Sequence, residues 1–186
     1  MSTPPEMDRI YVRRMQLVDV EKILEIDQLS FSMPWPASAY NYELRENLSS
    51  LLWLAEVELP DGNRQIAGMI VVWMILDEAH IATIAVHPDQ RRKGIGQRLL
   101  ATGLQEAIRK GARQATLEVR AGNLTAQKLY QRFRFEVAGQ RLRYYRDNNE
   151  DALIMTVNHL DETYLEWLER HGQEKEAPKN DPGGAA

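Results

Sequence analysis

The chain has 186 residues, of which 44% are hydrophobic, and its formal net charge at pH 7 is −4. This length and apolar content suit one domain that folds around its own core, without disulfides or a structural metal. The sequence has no cysteine, which excludes thiolate zinc sites and a thioester intermediate on the protein. The negative charge, with no long run of Lys or Arg, argues against nucleic acid as the main partner.

The sequence also lacks the signals of export and of membrane insertion. Met1–Glu6 has neither the basic region nor the apolar region of a signal peptide. The longest apolar stretch, residues 67–76, is far too short to cross a bilayer. We therefore expect a cytoplasmic protein without a membrane partner.

Apolar periodicity and turn residues predict the elements in chain order. Strands are predicted at residues 10–13, 51–57, 65–76, 80–86, 115–119, from 135–138 onward, and at 153–157. Helices are predicted after a cap at Asp19, around residues 40–47, over 96–110, and from Asn123 to about Arg132. The order is strand, two helices, three strands, helix, strand, helix and two strands. It predicts an α/β fold with a mixed sheet.

The composition changes near the C-terminus. Apolar residues recur at helical spacing after a capping candidate, Asp161, and predict a short terminal helix: Leu160, Tyr164, Trp167 and Leu168. From His171 onward the residues cannot bury apolar surface, which predicts disorder. We expect a main domain over residues 7–160, a helical extension over 161–170 and a disordered tail over 171–186.

The most informative segment is residues 84–97, where a buried strand leads through a glycine-containing loop into a helix. Unpaired N–H groups and the macrodipole at a helix N-terminus attract anions. Glycine at 94 and 96 lacks the Cβ atom that would hold a diphosphate away from those donors. Positive charge comes from the preceding residues, Arg91, Arg92 and Lys93. The segment predicts a pyrophosphate cradle, and the alternative is a helix start beside a solvated basic run.

Two other phosphate-binding motifs are missing. No Gly-x-x-x-x-Gly-Lys-Ser/Thr sequence is present, which excludes a Walker loop for ATP. No Gly-x-Gly-x-x-Gly sequence with an acidic residue about twenty positions later is present, which disfavours a dinucleotide fold.

The run Arg91–Gly96 matches the Arg/Gln-x-x-Gly-x-Gly/Ala motif, and the chain resembles the GNAT superfamily of acetyltransferases from about residue 10 to 157. Further segments resemble its ribosomal-protein-alanine N-acetyltransferase branch, the RimI family: residues 116–123, 129–130, 133–135, 144–145 and 150–155. The basic triplet before Gly94 departs from the Gln-Arg-Gln that is more usual in that branch.

The resemblance implies a GNAT fold, with a mixed, mostly antiparallel twisted sheet flanked by helices and acetyl-CoA bound at a splayed pair of strands. It implies direct acetyl transfer to an amine in a ternary complex. The cofactor-binding residues that it implies are Ile84, Ala85 and Val86 through their backbone, Arg91, Arg92, Lys93, Gly94, Ile95, Gly96 and Gln97 in the cradle, and Asn123 and Tyr130. Asn123 is also an ordinary helix N-cap candidate.

Two residues match the family's catalytic pair. An attacking amine must lose a proton, and Glu118 matches the glutamate that takes it, directly or through a water. Tyr130 matches the general acid that protonates the departing CoA sulfur. The alternatives are structural: a strand carboxylate that faces solvent, and a helix tyrosine packed on the core.

The acceptor is expected between aromatic walls. Tyr144 and Tyr145 are expected in the hairpin between the last two strands, which in the family covers a peptide N-terminus. Trp35, in the proline-bounded connection of residues 31–36, is expected on the opposing wall. Aromatic residues beside turns are also common packing residues, so both roles stay open.

The resemblance implies a protein N-terminus as the acceptor, with the alanine N-terminus of a small-subunit ribosomal protein as the family's substrate. Acetylation of a lysine side chain or of a small-molecule amine is an alternative, and a non-catalytic CoA-binding module is a third. The presence of Glu118 and Tyr130 beside an intact cradle argues against the third. No metal is expected, because no histidine spacing resembles a metal-binding pair. The sequence does not predict the oligomeric state.

Overall fold

A computed structural model of the chain describes residues 9–172. The interpretation of Met1–Glu6 and that of the tail after Gly172 lie outside these residues. Seven strands are present: β1 (Ile10–Arg14), β2 (Ser50–Glu58), β3 (Arg64–Ile75), β4 (Glu78–Val86), β5 (Gln114–Arg120), β6 (Glu136–Tyr145) and β7 (Glu150–Asn158). Within residues 9–172 five α-helices accompany them: α1 (Val20–Ser30), α2 (Ala37–Arg45), α3 (Ile95–Arg109), α4 (Leu124–Arg132) and α5 (Glu162–His171). The predicted order of elements and the α/β class are confirmed.

One sheet contains all seven strands, in the order β1-β2-β3-β4-β5-β7-β6. Every neighbouring pair is antiparallel except β4 and β5, which are parallel. Parallel neighbours need a crossover connection, and α3 supplies it. The sheet is therefore mixed and mostly antiparallel, as expected.

The sheet has a separate apolar core on each face. Alternation along β5 shows the division, since Leu117 and Val119 are buried against α3 and α5 whereas Glu118 points to the opposite face. That opposite face carries α1 and α2, with Ile23, Ile26 and Tyr40 in its core. Residues at even positions of β5 thus face the α1–α2 side.

The parallel pair separates soon after it begins. β4 and β5 are paired only from Glu78 with Gln114 to His80 with Thr116, and no further pairing follows. Just past this point, Val71 of β3 pairs with Thr83 and Val72 pairs with Ile81, so Ala82 is the extra residue of a β-bulge. A bulge bends and twists its strand. We call the resulting gap between residues 81–86 and 117–120 the fork.

Several element bounds differ from the sequence prediction by one to three residues, among them the start of β7 at Glu150 instead of residue 153. Helix α2 begins at Ala37, three residues earlier than predicted, because Pro36 is its N-cap residue and proline suits a helix start. Strand β6 runs from Glu136 to Tyr145, in agreement with a strand predicted to begin at 135–138. Helix α5 reaches His171, one residue into the predicted tail, and its Leu168 is fully buried. Within residues 9–172, no helix combines the length and the apolar character needed to span a membrane.

Candidate active site

The predicted phosphate cradle is a left-handed turn that leads into α3. Gly94 is the N-cap residue, and its φ of +87° is a conformation that glycine adopts without strain. Arg92, two residues earlier, is also left-handed, with φ +63°. Because Gly94 has no side chain, no side-chain cap covers the N–H groups of the first helical turn. Those N–H groups are suited to an anion.

Gly96 gives close access to this helix backbone. A Cβ atom added there would lie 3.5 Å from Leu129 Cδ2 and 3.7 Å from Val86 Cγ2, which are ordinary contact distances. Packing within the chain therefore does not demand glycine at this position. A glycine here leaves the helix backbone open to approach, and its contact with a diphosphate stays a prediction.

The basic residues around the cradle are partly engaged by the protein. Arg91 Nε donates to the Val86 carbonyl oxygen at 3.1 Å, and Arg91 Nη2 lies 3.5 Å from Ser30 Oγ. Arg91 therefore ties the end of β4 to α1. Arg98, which sequence reasoning did not single out, donates to the Ile10 carbonyl oxygen at 3.0 Å and links α3 to β1.

The other predicted cofactor residues line the fork. Residues 84–86 lie on the last part of β4, pair with β3 on one side and have no strand partner on the β5 side. Sheet hydrogen-bonding groups on an unpaired side can pair with an extended ligand. Ile95 and Gln97 are buried, so they can offer a ligand only their backbone.

Glu118 lies on β5 just beyond the last β4–β5 pair, and it does not face open solvent. Its side chain is 13% exposed, and both carboxylate oxygens have partners. Oε2 lies 3.3 Å from His80 Nε2, and Oε1 lies 3.1 Å from Arg141 Nη2. The solvent-facing alternative is therefore wrong for this residue. Its role as the base stays a prediction.

Tyr130 lies on α4, and its residue is 6% exposed. Burial raises the pKa of its phenol above the ordinary value, and the neighbouring Tyr145 raises it further. Burial likewise raises the pKa of Tyr145 to about 12, with Arg120 opposing the rise and Glu118 among the groups that add to it. Both phenols thus hold their protons at neutral pH. Tyr145 is thus linked electrostatically to both Tyr130 and Glu118.

Trp35 belongs to an aromatic stack on the α1–α2 side of the sheet. Its ring lies 5.9 Å from that of Trp73, and the Trp73 ring lies 5.7 Å from that of His80, with interplanar angles of 20° and 16°. The backbone N–H of Trp35 donates to Asp27 Oδ2 at 2.6 Å, which fixes the connection between α1 and α2. Trp35 is thus placed on the same side of the sheet as Glu118.

Tyr144 and Tyr145 form the last two residues of β6, and the turn itself follows at residues 146–149. Their rings meet edge-on at 5.2 Å. Tyr144 is 43% exposed, whereas Tyr145 is half-buried under the guanidinium of Arg120, 3.9 Å from its ring centre. Arg141 lies 5.4 Å from the Tyr144 ring. The Tyr145 ring therefore faces the protein interior, and the Tyr144 ring lies at the protein surface.

Arg120, at the end of β5, joins three segments around this neighbourhood. It binds Asp147 and Glu150 on the β6–β7 side at 2.9 Å and 3.1 Å. It also donates to Ser32 Oγ at 3.1 Å, in the α1–α2 connection. Ser32 in turn donates to Asp147. We call Arg120, Ser32, Asp147 and Glu150 the Arg120 network. It connects the two predicted acceptor walls.

Asn123 caps α4, since its Oδ1 accepts from the Ala126 N–H at 3.1 Å. The capping interpretation is confirmed, and contact with CoA stays a prediction. The residue is exposed, at the mouth of the fork.

Several residues of this site escaped sequence reasoning. His80, Trp73, Arg141 and Arg120 were not proposed as site residues. Only one signal was available: Arg120 directly follows the predicted strand 115–119, and residues 147–151 contain three carboxylates. The other contacts depend on sheet order.

The residues present fit an acetyl-CoA molecule. The fit rests on the uncapped helix start at Gly94, the open backbone at Gly96 and the unpaired edge of residues 84–86, with Glu118 on the facing strand just past the last β4–β5 pair. Across the part of the chain that the structure describes, no group of three or more His, Asp or Glu side chains has the arrangement of a metal site.

Comparison with known proteins agrees with this geometry. A model of the acetyltransferase (GNAT) family matches residues 20–135. The putative [ribosomal protein bS18]-alanine N-acetyltransferase of Bacillus subtilis is 38% identical over 146 residues, which cover 78% of this chain and 93% of that protein. The [ribosomal protein bS18]-alanine N-acetyltransferase of Escherichia coli is 30% identical over 148 residues, covering 78% and 95%.

Solved structures agree as well. The crystal structure of the ribosomal-protein-S18-alanine N-acetyltransferase from Escherichia coli superposes with a TM-score of 0.70 at 29% identity, and covers 81% of this chain and 94% of that one. A spermidine/spermine N-acetyltransferase from Vibrio cholerae reaches 0.69 at 17% identity, which shows the fold alone. The chain belongs to the GNAT family and is an acetyl-CoA-dependent N-acetyltransferase.

Proposed function

We propose that this protein acetylates the N-terminal α-amine of a protein, with the alanine N-terminus of a small-subunit ribosomal protein as the acceptor class. Two bacterial relatives, which align with this chain over 93% and 95% of their own length, are named for that reaction. The observation that carries the proposal is the Glu118 carboxylate, 13% exposed and placed just past the last β4–β5 pair, opposite the unpaired edge of residues 84–86.

The cradle and β4 supply the binding surface. The N–H groups at the start of α3 receive the pyrophosphate, and the free edge of residues 84–86 pairs with the extended arm. Acetyl-CoA contributes the activated acetyl thioester. Because the edge leads from the cradle toward Glu118, binding in this direction brings the thioester to the vertex of the fork.

Glu118 takes the proton that leaves the acceptor ammonium, directly or through a water. Only a neutral amine has the lone pair needed to attack a carbonyl carbon, so removal of this proton is required. The carboxylate lies at the vertex and is largely shielded from bulk water. Arg141, 3.1 Å from Oε1, supplies a positive partner for this shielded carboxylate.

Tyr130 donates a proton to the departing sulfur. Its burial keeps the phenol protonated at neutral pH, which an acid requires. The buried Tyr130 ring also packs against Phe135, with the two ring centres 5.9 Å apart. Structural and chemical roles therefore coexist at this residue.

Trp35 and the Tyr144–Tyr145 pair border the acceptor. The two walls are joined by the Arg120 network, so the opening between them has a defined width.

A peptide panel tests the proposal. Each peptide begins with alanine and contains one internal lysine, and each is paired with a copy whose N-terminus is blocked. Spermidine is included as a small amine. Mass spectrometry after incubation with acetyl-CoA locates the added acetyl group.

Acetylation of the free N-terminus, with no product from the blocked copies, is the expected result. Transfer to lysine alone would contradict the proposed acceptor and favour a side-chain acetyltransferase. Acetylation of spermidine alone would assign a small-molecule substrate. CoA binding without transfer to any of these amines would favour a non-catalytic module.

A further inference from the structure

His80 lies at the vertex of the fork, where the last paired residues of β4 and β5 are His80 and Thr116. Its Nε2 is 3.3 Å from Glu118 Oε2, and the side chains are 19% and 13% exposed. One ring face stacks on Trp73, whose Nε1 donates to Glu43 at 3.1 Å. The imidazole is therefore held in a fixed plane and directed at the carboxylate.

The second carboxylate oxygen of Glu118, Oε1, contacts Arg141, so the carboxylate has a partner on each side. Arg141 is charged at every pH of interest, whereas imidazole changes its charge between pH 5 and 8 in many proteins. A neutral imidazole with its proton on Nε2 gives Glu118 one uncharged donor. A protonated imidazole adds a second cation beside Arg141 and makes the carboxylate a weaker base.

We propose that His80 is a positioning residue for acetyl transfer, which holds the Glu118 carboxylate in place and sets the pH below which Glu118 no longer takes the proton of the amine. The inference rests on the proposed function in one respect, namely that Glu118 is the base. His80 does not touch the reacting atoms in this scheme. It acts through the 3.3 Å contact between its Nε2 and Glu118 Oε2.

Other charged and titratable groups face this pair from the surrounding elements. Arg141 comes from β6, Tyr145 from the end of β6, and Glu43 from α2 through Trp73. Arg141 keeps its charge, and the phenol of Tyr145 titrates far above neutral pH, with a pKa of about 12. Neither changes charge over the range in which an imidazole does.

The test compares His80→Gln and His80→Ala with the wild type. Glutamine keeps an N–H donor but cannot ionise, whereas alanine removes both the donor and the charge. We expect His80→Gln to retain kcat within about threefold at pH 8 and to move the acidic limb of the kcat profile down by about one pH unit or more. We expect His80→Ala to lower kcat about tenfold, with unchanged KM for acetyl-CoA.

The acceptor peptide is the same for every variant, so its own ionisation cancels in the comparison. His159→Asn is the matched control, because His159 is an exposed histidine with φ +60°, a conformation that asparagine tolerates. Its profile should coincide with that of the wild type. A His80→Gln profile that superimposes on the wild-type profile would overturn the inference, and so would a wild-type kcat in His80→Ala.

A second measurement needs no acceptor. The ¹⁵N shifts of the His80 ring in the free protein, recorded where the imidazole is neutral, report which nitrogen carries the proton. The Nε2–H form is expected in the wild type, and Glu118→Gln should weaken that preference. A wild-type ring protonated on Nδ1 would refute the contact. This outcome is separate from failure of the peptide panel, which would refute only the proposed acceptor.

Discussion

At the scale of single residues, the site combines side chains proposed to transfer protons with side chains that fix their positions. Glu118 and Tyr130 are both shielded from water, but for different reasons. Glu118 is enclosed by polar partners, whereas Tyr130 is enclosed by packing. A shielded charge needs partners, and a shielded phenol keeps its proton. The two environments therefore suit a base and an acid.

Replacing Glu118 by glutamine is expected to lower kcat by about 100-fold, since general base catalysis typically contributes 10²–10⁴-fold. The amide keeps the size of the side chain, so CoA affinity should stay close to the wild-type value. Steady-state kinetics and calorimetric titration with CoA check the two parts. A wild-type kcat would remove Glu118 from the mechanism.

Tyr130→Phe is expected to lower kcat about tenfold or more while leaving the fold intact, because phenylalanine fills the same volume. Tyr164→Phe is the matched control, since Tyr164 is another buried tyrosine, and its hydroxyl donates to the Phe133 carbonyl at 2.7 Å. The control should lose about 1 kcal/mol of unfolding free energy and keep kcat. Equal losses of kcat in both variants would assign Tyr130 a purely structural role.

At the scale of elements, the cradle depends on the conformation of the loop before α3 and on access to the backbone at the start of that helix. Gly94 and Gly96 are two residues apart, yet their requirements differ. Gly94 is left-handed, whereas Gly96 is helical with room for a Cβ atom. The first glycine serves backbone conformation and the second serves access.

Gly94→Ala is therefore expected to cost about 1 kcal/mol of unfolding free energy and to weaken CoA binding, because alanine resists the left-handed conformation. Gly96→Ala should fold with nearly wild-type stability, because its new contacts fall at ordinary distances. Thermal unfolding and calorimetric titration with CoA give both quantities. Equal effects of the two substitutions on stability would contradict this division of roles.

The start of α1 depends on a shielded ion pair. Asp19 is buried, receives two hydrogen bonds from Arg13 at 2.8 Å and 2.9 Å, and accepts the Gln16 N–H. Arg13 holds the pKa of this carboxyl below its ordinary value, although burial opposes the shift. The pair therefore stabilises the fold above the unfolded-state pKa of about 4 and loses this contribution as the pH falls through the lower folded-state value.

Asp19→Asn is expected to lower the free energy of unfolding by about 2 kcal/mol at pH 7, and the difference from the wild type should shrink below pH 4. Urea denaturation at several pH values measures it. Glu25→Gln is the control, because its ion pair with Lys22 is exposed on both sides and should contribute little. A difference that does not depend on pH would refute the linkage.

At the scale of the whole molecule, the candidate active site exists because distant segments meet where the sheet divides between β4 and β5. The fork separates β4 from β5, and the Arg120 network holds the α1–α2 connection against the β6–β7 turn. Catalytic and acceptor-binding parts come from both halves of the chain. Their alignment is a property of the complete fold.

Arg120→Gln should therefore raise KM for a peptide acceptor about tenfold and change KM for acetyl-CoA much less, since the network borders only the acceptor side. Arg120 is partly exposed, so its ion pairs are screened and the loss of stability should be small. Initial-rate kinetics with each substrate varied in turn separate the two constants. A selective rise in KM for acetyl-CoA would contradict this placement.

The order of elements, the cradle and the strand that carries Glu118 could all be predicted from local patterns. Apolar periodicity reports which residues a strand or helix buries, and glycines before a helix report how closely a ligand can reach the backbone. Both signals lie within a few neighbouring residues. The family resemblance then assigned roles to Glu118 and Tyr130, which remain to be tested by the substitutions above.

The partners of those residues could not be predicted in this way. His80 and Glu118 are 38 positions apart by number, and they meet only because α3 returns the chain to form a parallel pair that ends at His80 and Thr116. Arg141 reaches Glu118 across β7, which lies between their strands. Sequence by itself determined the elements and the chemistry they carry. Sheet order and register decided which side chains touch, because such contacts depend on long-range pairing that no local pattern records.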